Sequence, residues 1–172
     1  MNAMNRLVKC PGCGAELPDR QLPMSDRYMA SGECWALYGE LSASNMERMD
    51  LSFIHQMCVD AYGAQHTGAL VKPITTVFAL VGLYLAVERG YTGRQVQKAH
   101  MELANKTGKS FAWPRLEPPR RTWEVTVSDV WNAEAGEQRD QKIKEWTETV
   151  WKGWADQHDY IKSLCKTWLN VH

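Results

Sequence analysis

Two thiols three positions apart, Cys10 and Cys13, stand in the run KCPGCGA at the start of the chain, set in proline and glycine. A Cys-x-x-Cys pair does one of two things. As a redox couple it opens a helix whose N-terminus lowers the pKa of the first thiol. Here Pro11 and Gly12 separate the cysteines, Gly14 follows and Pro18 comes soon after, a composition hostile to a helix. A glycine after the second cysteine suits a turn with positive φ, which aims backbone N–H groups at sulfur and lets both thiolates face one point. The pattern predicts a metal knuckle, and zinc is the ion expected of it.

A closed zinc site takes four N or S ligands in a tetrahedron, so two more donors are needed. Cys34, His55 and Cys58 are the candidates. Cys34 and His55 fall on the inner faces of successive helices, and one ligand from each would clamp the knuckle to both. Cys58, one turn after His55, could replace Cys34. Cys165 has no partner in sequence and reads as a buried small hydrophobe.

A second group of chemistry-bearing residues follows. The block VDAYGAQH carries Asp60, Tyr62, Gln65 and His66, and His66 returns to the His55 stripe three turns later. Asp60 lies roughly 140° round the helix from His55, at about 100° per residue, and points away from the metal. Gln65 and His66 would satisfy free carbonyls at a helix end. The functional alternative gathers His66, His100 and His158, with Glu88 and Asp60, into a polar pocket inside a bundle, as a metal-dependent enzyme or small-molecule binder would. No H-E-x-x-H, E-x-x-H, G-x-S-x-G or phosphate loop accompanies them.

The elements that must position these residues read as helices. Ser31 opens one with Cys34, Leu37, Tyr38 and Leu41 at helical spacing. Asp50 is the expected N-cap of a second, running towards Gly68. Pro73 starts a third, apolar nearly all round, to Arg89-Gly90, and a fourth spans about Thr92 to Lys106. Lys109 to Val127 holds three prolines and two tryptophans, whose X-Pro steps favour extended chain, and reads as a strap. Ser128 is expected to cap a short helix. One long helix, Arg139 to Leu169, is predicted from the stripe Ile143, Trp146, Val150, Trp154, His158, Ile161, Cys165 and Trp168. The expected fold is all-α: one domain over 1–172, five to six helices, a knuckle arm over 1–27 and a strap over 107–127.

The 172 residues suffice for a core without disulfides. Five cysteines and no apolar leader point to a reducing cytoplasm. Twenty basic residues balance twenty acidic ones, so no field draws in nucleic acid or an anionic membrane. The apolar run Val77 to Val87 is too short to span a bilayer, which needs about 20 residues.

CPGCG, the lone Cys34, H-x-x-C-V-D-A-Y-G-A-Q-H, W-P-R-L-E-P-P, T-V-S-D-V and W-x-x-x-V-W-x-x-W together resemble a bacterial family catalogued as a domain of unknown function. The resemblance covers nearly the whole chain. It implies a small cytoplasmic helical protein with a zinc-type knuckle whose ligands are Cys10, Cys13, Cys34 and His55, and it implies no activity. The favoured expectation is a zinc-stapled module that binds a second copy of itself as a homodimer, or another protein. Trp151 on the shoulder of the last helix, and Trp113 and Trp123 flanking the strap, motivate that role.

Overall fold

The computed structural model describes residues 6–172, so the first five residues of the expected 1–27 arm lie outside the described residues. Helices dominate, as the periodicities predict. α1 spans Gly32–Glu47, α2 His55–Gln65, α3 Pro73–Val87, α4 Gly93–Thr107, α5 Val127–Asn132, α6 Glu137–Gly153 and α7 His158–Leu169. Two short strands precede them, β1 (Leu7–Lys9) and β2 (Glu16–Pro18), paired antiparallel with Val8 opposite Leu17. This hairpin was not expected from sequence: three-residue strands are too short for alternation to register.

Local chemistry sets most boundaries. The Ser31 hydroxyl accepts from the Cys34 amide (3.2 Å) and starts α1. Asp50 does not cap α2 directly. Its carboxylate accepts from the amides of Ser52 and Ile54 (both 2.9 Å), holding a turn ahead of a helix that begins at His55. Thr92 and Gln95 form a capping box on α4. Thr126, rather than Ser128, is the N-cap of α5, and the Asp129 carboxylate accepts from the Thr126 amide (2.8 Å).

The expected long helix from 139 to 169 is broken. α6 ends at Gly153, a single 3-10 turn covers Ala155–Gln157, and α7 sets off from His158. The stripe reads as continuous because a three-residue turn preserves spacings of three and four. The break is held by its own side chains. The Trp154 indole donates to the Ala64 carbonyl (3.2 Å), and His158 pairs through Nε2 with the Trp151 carbonyl (2.8 Å), which also accepts from the Trp154 amide (3.0 Å). The Trp123 ring packs where Gly153 lacks a side chain.

α3 is the centre, packed by α2, α4, α6 and α7. Its mean composition is the most apolar of any helix, and Leu80, Leu83 and Leu85 are wholly buried. No helix among the described residues is long and apolar enough to cross a membrane. The strap has no regular structure and is anchored by Arg115, which donates to the Gly68 and Val71 carbonyls (2.9 and 3.0 Å), and by Trp113, edge-on to Phe78.

One buried amide ties three of these parts together. Gln65 donates to the Val125 carbonyl of the strap (2.7 Å) and accepts from the Trp146 indole of α6 (2.9 Å). Replacing it leaves a buried donor and a buried acceptor unpaired, each a loss comparable to its desolvation. Gln65→Leu is expected to lower stability by about 3 kcal/mol. Urea unfolding with an unchanged slope checks this, and a loss within experimental error would show that water reaches both groups.

Candidate functional site

The chain between β1 and β2 is the CPGCG turn, closed by hydrogen bonds from the Cys10 amide to the Ala15 carbonyl (2.8 Å) and from the Gly14 amide to the Cys10 carbonyl (2.9 Å). Gly14 has φ of 79°, the left-handed conformation that glycine accepts without strain. Gly12 serves a different need. A Cβ there would strike the Met29 carbonyl and come within 2.6 Å of the His66 ring, so only glycine lets the knuckle approach the end of α2.

Four donor atoms converge beneath this turn. The sulfurs of Cys10, Cys13 and Cys34 and a ring nitrogen of His66 all lie within 4.8 Å of one another, and all four residues are buried. Cys13 Sγ is 3.8 Å from Cys34 Sγ, far beyond bonding distance for a disulfide, and all five cysteines are free. Cys34 Sγ is 3.4 Å from His66 Nε2. His66 Nδ1 lies 2.7 Å from the Tyr62 carbonyl, one turn back, so Nδ1 carries the proton and Nε2 presents its lone pair to the thiols. The Tyr62 hydroxyl donates to Cys34 Sγ (3.5 Å), and its ring stacks on His66 at 3.8 Å between centroids.

The thiols perturb one another strongly. Hydrogen bonds from Cys13 and then Cys34 hold the Cys10 thiol far below the ordinary thiol range. The same contact with Cys10 pushes Cys13 up to about 12, and Cys10 and Cys13 together push Cys34 well up. A bound cation offsets this mutual effect, because it lets each sulfur ionise towards it.

The fourth donor is His66, where the sequence reading and the family resemblance both indicated His55. The two histidines share one stripe but stand at opposite ends of α2, about 16 Å apart at 1.5 Å per residue. His55 occupies the far end of an aromatic stack, 6.5 Å from the Tyr38 ring, which stacks on Tyr62 at 4.0 Å. Burial lowers its pKa, and its Nδ1 has no hydrogen-bond partner. Cys58, the alternative ligand, lies in the core, where Asn45 Nδ2 donates to its sulfur (3.4 Å) and burial pushes its pKa up to about 12.

A signal for His66 existed. α1 and α2 are joined by a short connection and run antiparallel, with Cys34 beside His66, Tyr38 against Tyr62, and Asn45 against Cys58. Cys34 lies in the first turn of α1, so only the last turn of α2 can reach it.

The proposed three-histidine pocket does not form. His66 belongs to the thiol cluster. His100 Nε2 pairs with the Phe78 carbonyl (2.8 Å), and burial lowers its pKa to about 4. His158 stacks on Trp151 at 3.7 Å. Glu88 accepts from the Trp151 indole (2.8 Å) and pairs with Lys162 (2.9 Å). Asp60 stands apart from them; among the described residues its one hydrogen bond comes from Gln56 (3.1 Å). Trp151, read as a shoulder residue, is buried, and Trp123 is buried beside it in the core, with Trp113 half-buried against Phe78 and Phe111.

No curated protein and no solved structure matches the chain. A family model does, over residues 8–155, a span that holds the knuckle, Cys34, the VDAYGAQH block, the strap and α6. The chain carrying this Cys-Cys-Cys-His cluster therefore belongs to the family described as "Family of unknown function (DUF5946)".

Proposed function

We propose that Cys10, Cys13, Cys34 and His66 hold one zinc ion and that its role is structural. The carrying observation is the spacing of the donors. A tetrahedral zinc with sulfur at about 2.3 Å and nitrogen at about 2.05 Å has S–S edges of about 3.8 Å and S–N edges of about 3.6 Å. The Cys13–Cys34 and Cys34–His66 edges are 3.8 and 3.4 Å, and all four donor atoms lie within 4.8 Å of one another. Three thiolates and an imidazole are a zinc-type donor set, and four protein ligands leave no position for water or substrate.

Such an ion would staple the hairpin to two helices at once. Cys10 and Cys13 belong to the turn, Cys34 to the first turn of α1, and His66 to the residue that ends α2. The Tyr62 hydroxyl and the Tyr62 carbonyl orient one sulfur and the imidazole from outside. The reading makes the protein a metal-stapled helical module. Any recognition of a partner falls to its surface, where Met46, Met49 and Leu51 stand exposed around the α1–α2 connection.

Purified protein is expected to carry one zinc per chain by elemental analysis, and cobalt substitution to give the visible absorption of a tetrahedral thiolate site. His66→Ala should release the metal, whereas His55→Ala and Cys58→Ala should retain it. Retention by His66→Ala together with loss in His55→Ala would return the fourth ligand to His55.

Chelation should act locally, because the core around α3 does not depend on the ion. The segment after the hairpin has its own anchor: the buried Glu33 carboxylate accepts from the Arg20 and Leu22 amides (both 3.1 Å). Helical circular dichroism is therefore expected to fall only slightly on adding a strong chelator, while amide exchange rises over 7–18 and at the ends of α1 and α2 facing them. Global unfolding would make the metal part of the core instead of a staple.

A further inference from the structure

A second site lies on the other side of α2. A cavity of about 260 Å³ opens between α2, α3 and α4, and its walls include Tyr28, Val59, Asp60, Ile74, Phe78 and His100. Asp60 is only 3 % exposed, yet it lines this space. Its carboxylate offers about four lone-pair positions and receives one hydrogen bond, from Gln56. Among the described residues no lysine, arginine or histidine forms an ion pair with it. Burial raises its pKa well above the usual carboxylate range.

The fold makes room for this group. A Cβ on Gly82 would collide with Asp60 Oδ2, so α3 carries a glycine in its interior where the carboxylate sits. Glycine there costs about 1 kcal/mol of helix propensity. A carboxyl seated this way, without an ion-pair partner and facing a cavity, is costly in its ionised form, and a cation meeting it there would favour that form. Arg27 also lines the cavity but forms no ion pair with Asp60: its side chain is exposed, with the guanidinium 5.7 Å from the centre of the Tyr28 ring.

We propose that this cavity binds a small organic cation headed by a primary ammonium, with Asp60 as its counter-charge. An ammonium can take up the vacant lone pairs of the carboxylate. Tyr28 and Phe78, with Val59 and Ile74, supply the aromatic and aliphatic surface that the body of such a ligand needs. A bare divalent metal fits poorly, because it demands several oxygen ligands and finds a single carboxylate in the lining. The volume suits a ligand smaller than a drug-sized molecule.

The test uses the metal-loaded full chain in phosphate buffer, which contains no amine, with phenethylamine as probe and 2-phenylethanol as its neutral counterpart. At 100 times its Kd, phenethylamine should raise the Tm by roughly 5–10 °C. Tryptophan fluorescence should titrate with it, since Trp35 lies 5.5 Å from Tyr28. The alcohol should bind at least about tenfold more weakly. Asp60→Asn, which keeps the shape and can still accept from Gln56, should lose the preference. Thr75→Phe fills the cavity without touching Asp60's hydrogen bond and should abolish binding, so the result does not hang on one variant. Equal binding of amine and alcohol, persistence of binding in Thr75→Phe, or no response to phenethylamine at millimolar concentration would each overturn the proposal.

Discussion

Three thiols and an imidazole packed out of water cannot all adopt their most basic forms without a cation, and the first third of the chain is arranged around that constraint. The chain brings a hairpin turn, the first turn of one helix and the last residue of another to one point. Each approach needs a local concession. Gly12 gives up a side chain so that the turn can meet His66, Gly14 takes a left-handed backbone, and Ser31 turns its hydroxyl to the Cys34 amide. The Tyr62 hydroxyl is spent on a sulfur, and burial and the neighbouring thiols push its pKa well up, so it stays a donor.

The VDAYGAQH block is where the fold's demands meet. Tyr62 stacks on the histidine and bonds to Cys34, Gln65 joins strap and α6, His66 turns its ring to the thiols, and Asp60 faces the opposite way into a separate cavity. Consecutive residues on a helix point in different directions, so one short block can serve several partners only if all its surroundings are fixed. α2 is accordingly buried over nearly all its length, including most of its polar side chains. That burial explains why its amphipathic signal is weak while its side chains are individually constrained.

Much of the fold was legible in the chain. α3 announced itself by the apolar run Val77 to Val87 after Pro73, α4 by a periodic stretch from about Thr92 to Lys106, and α1 by Ser31 with the Cys34, Leu37, Tyr38, Leu41 spacing. The knuckle followed from glycine and proline between and after two cysteines, where no helix could form. What failed to register were features shorter than the period used to find them. A three-residue hairpin gives no alternation, and a single 3-10 turn at 155–157 leaves a helical stripe unbroken in sequence while bending it in space.

Residue types determined that the amino end offers sulfur donors and that most of the rest is helical, because backbone preferences and hydrophobic periods are local properties. Which histidine stands by the thiols was decided by how α1 and α2 pack. Periodicity gives the direction in which a side chain leaves its helix but not its height along the axis, so His55 and His66 were equivalent on the wheel. The antiparallel turn from α1 into α2 broke that equivalence by bringing the start of one helix beside the end of the other. The same packing separated His100 and His158 onto carbonyls of their own and left Asp60 unpaired beside a cavity, a placement that depends on Gly82 in another helix and that no local pattern records.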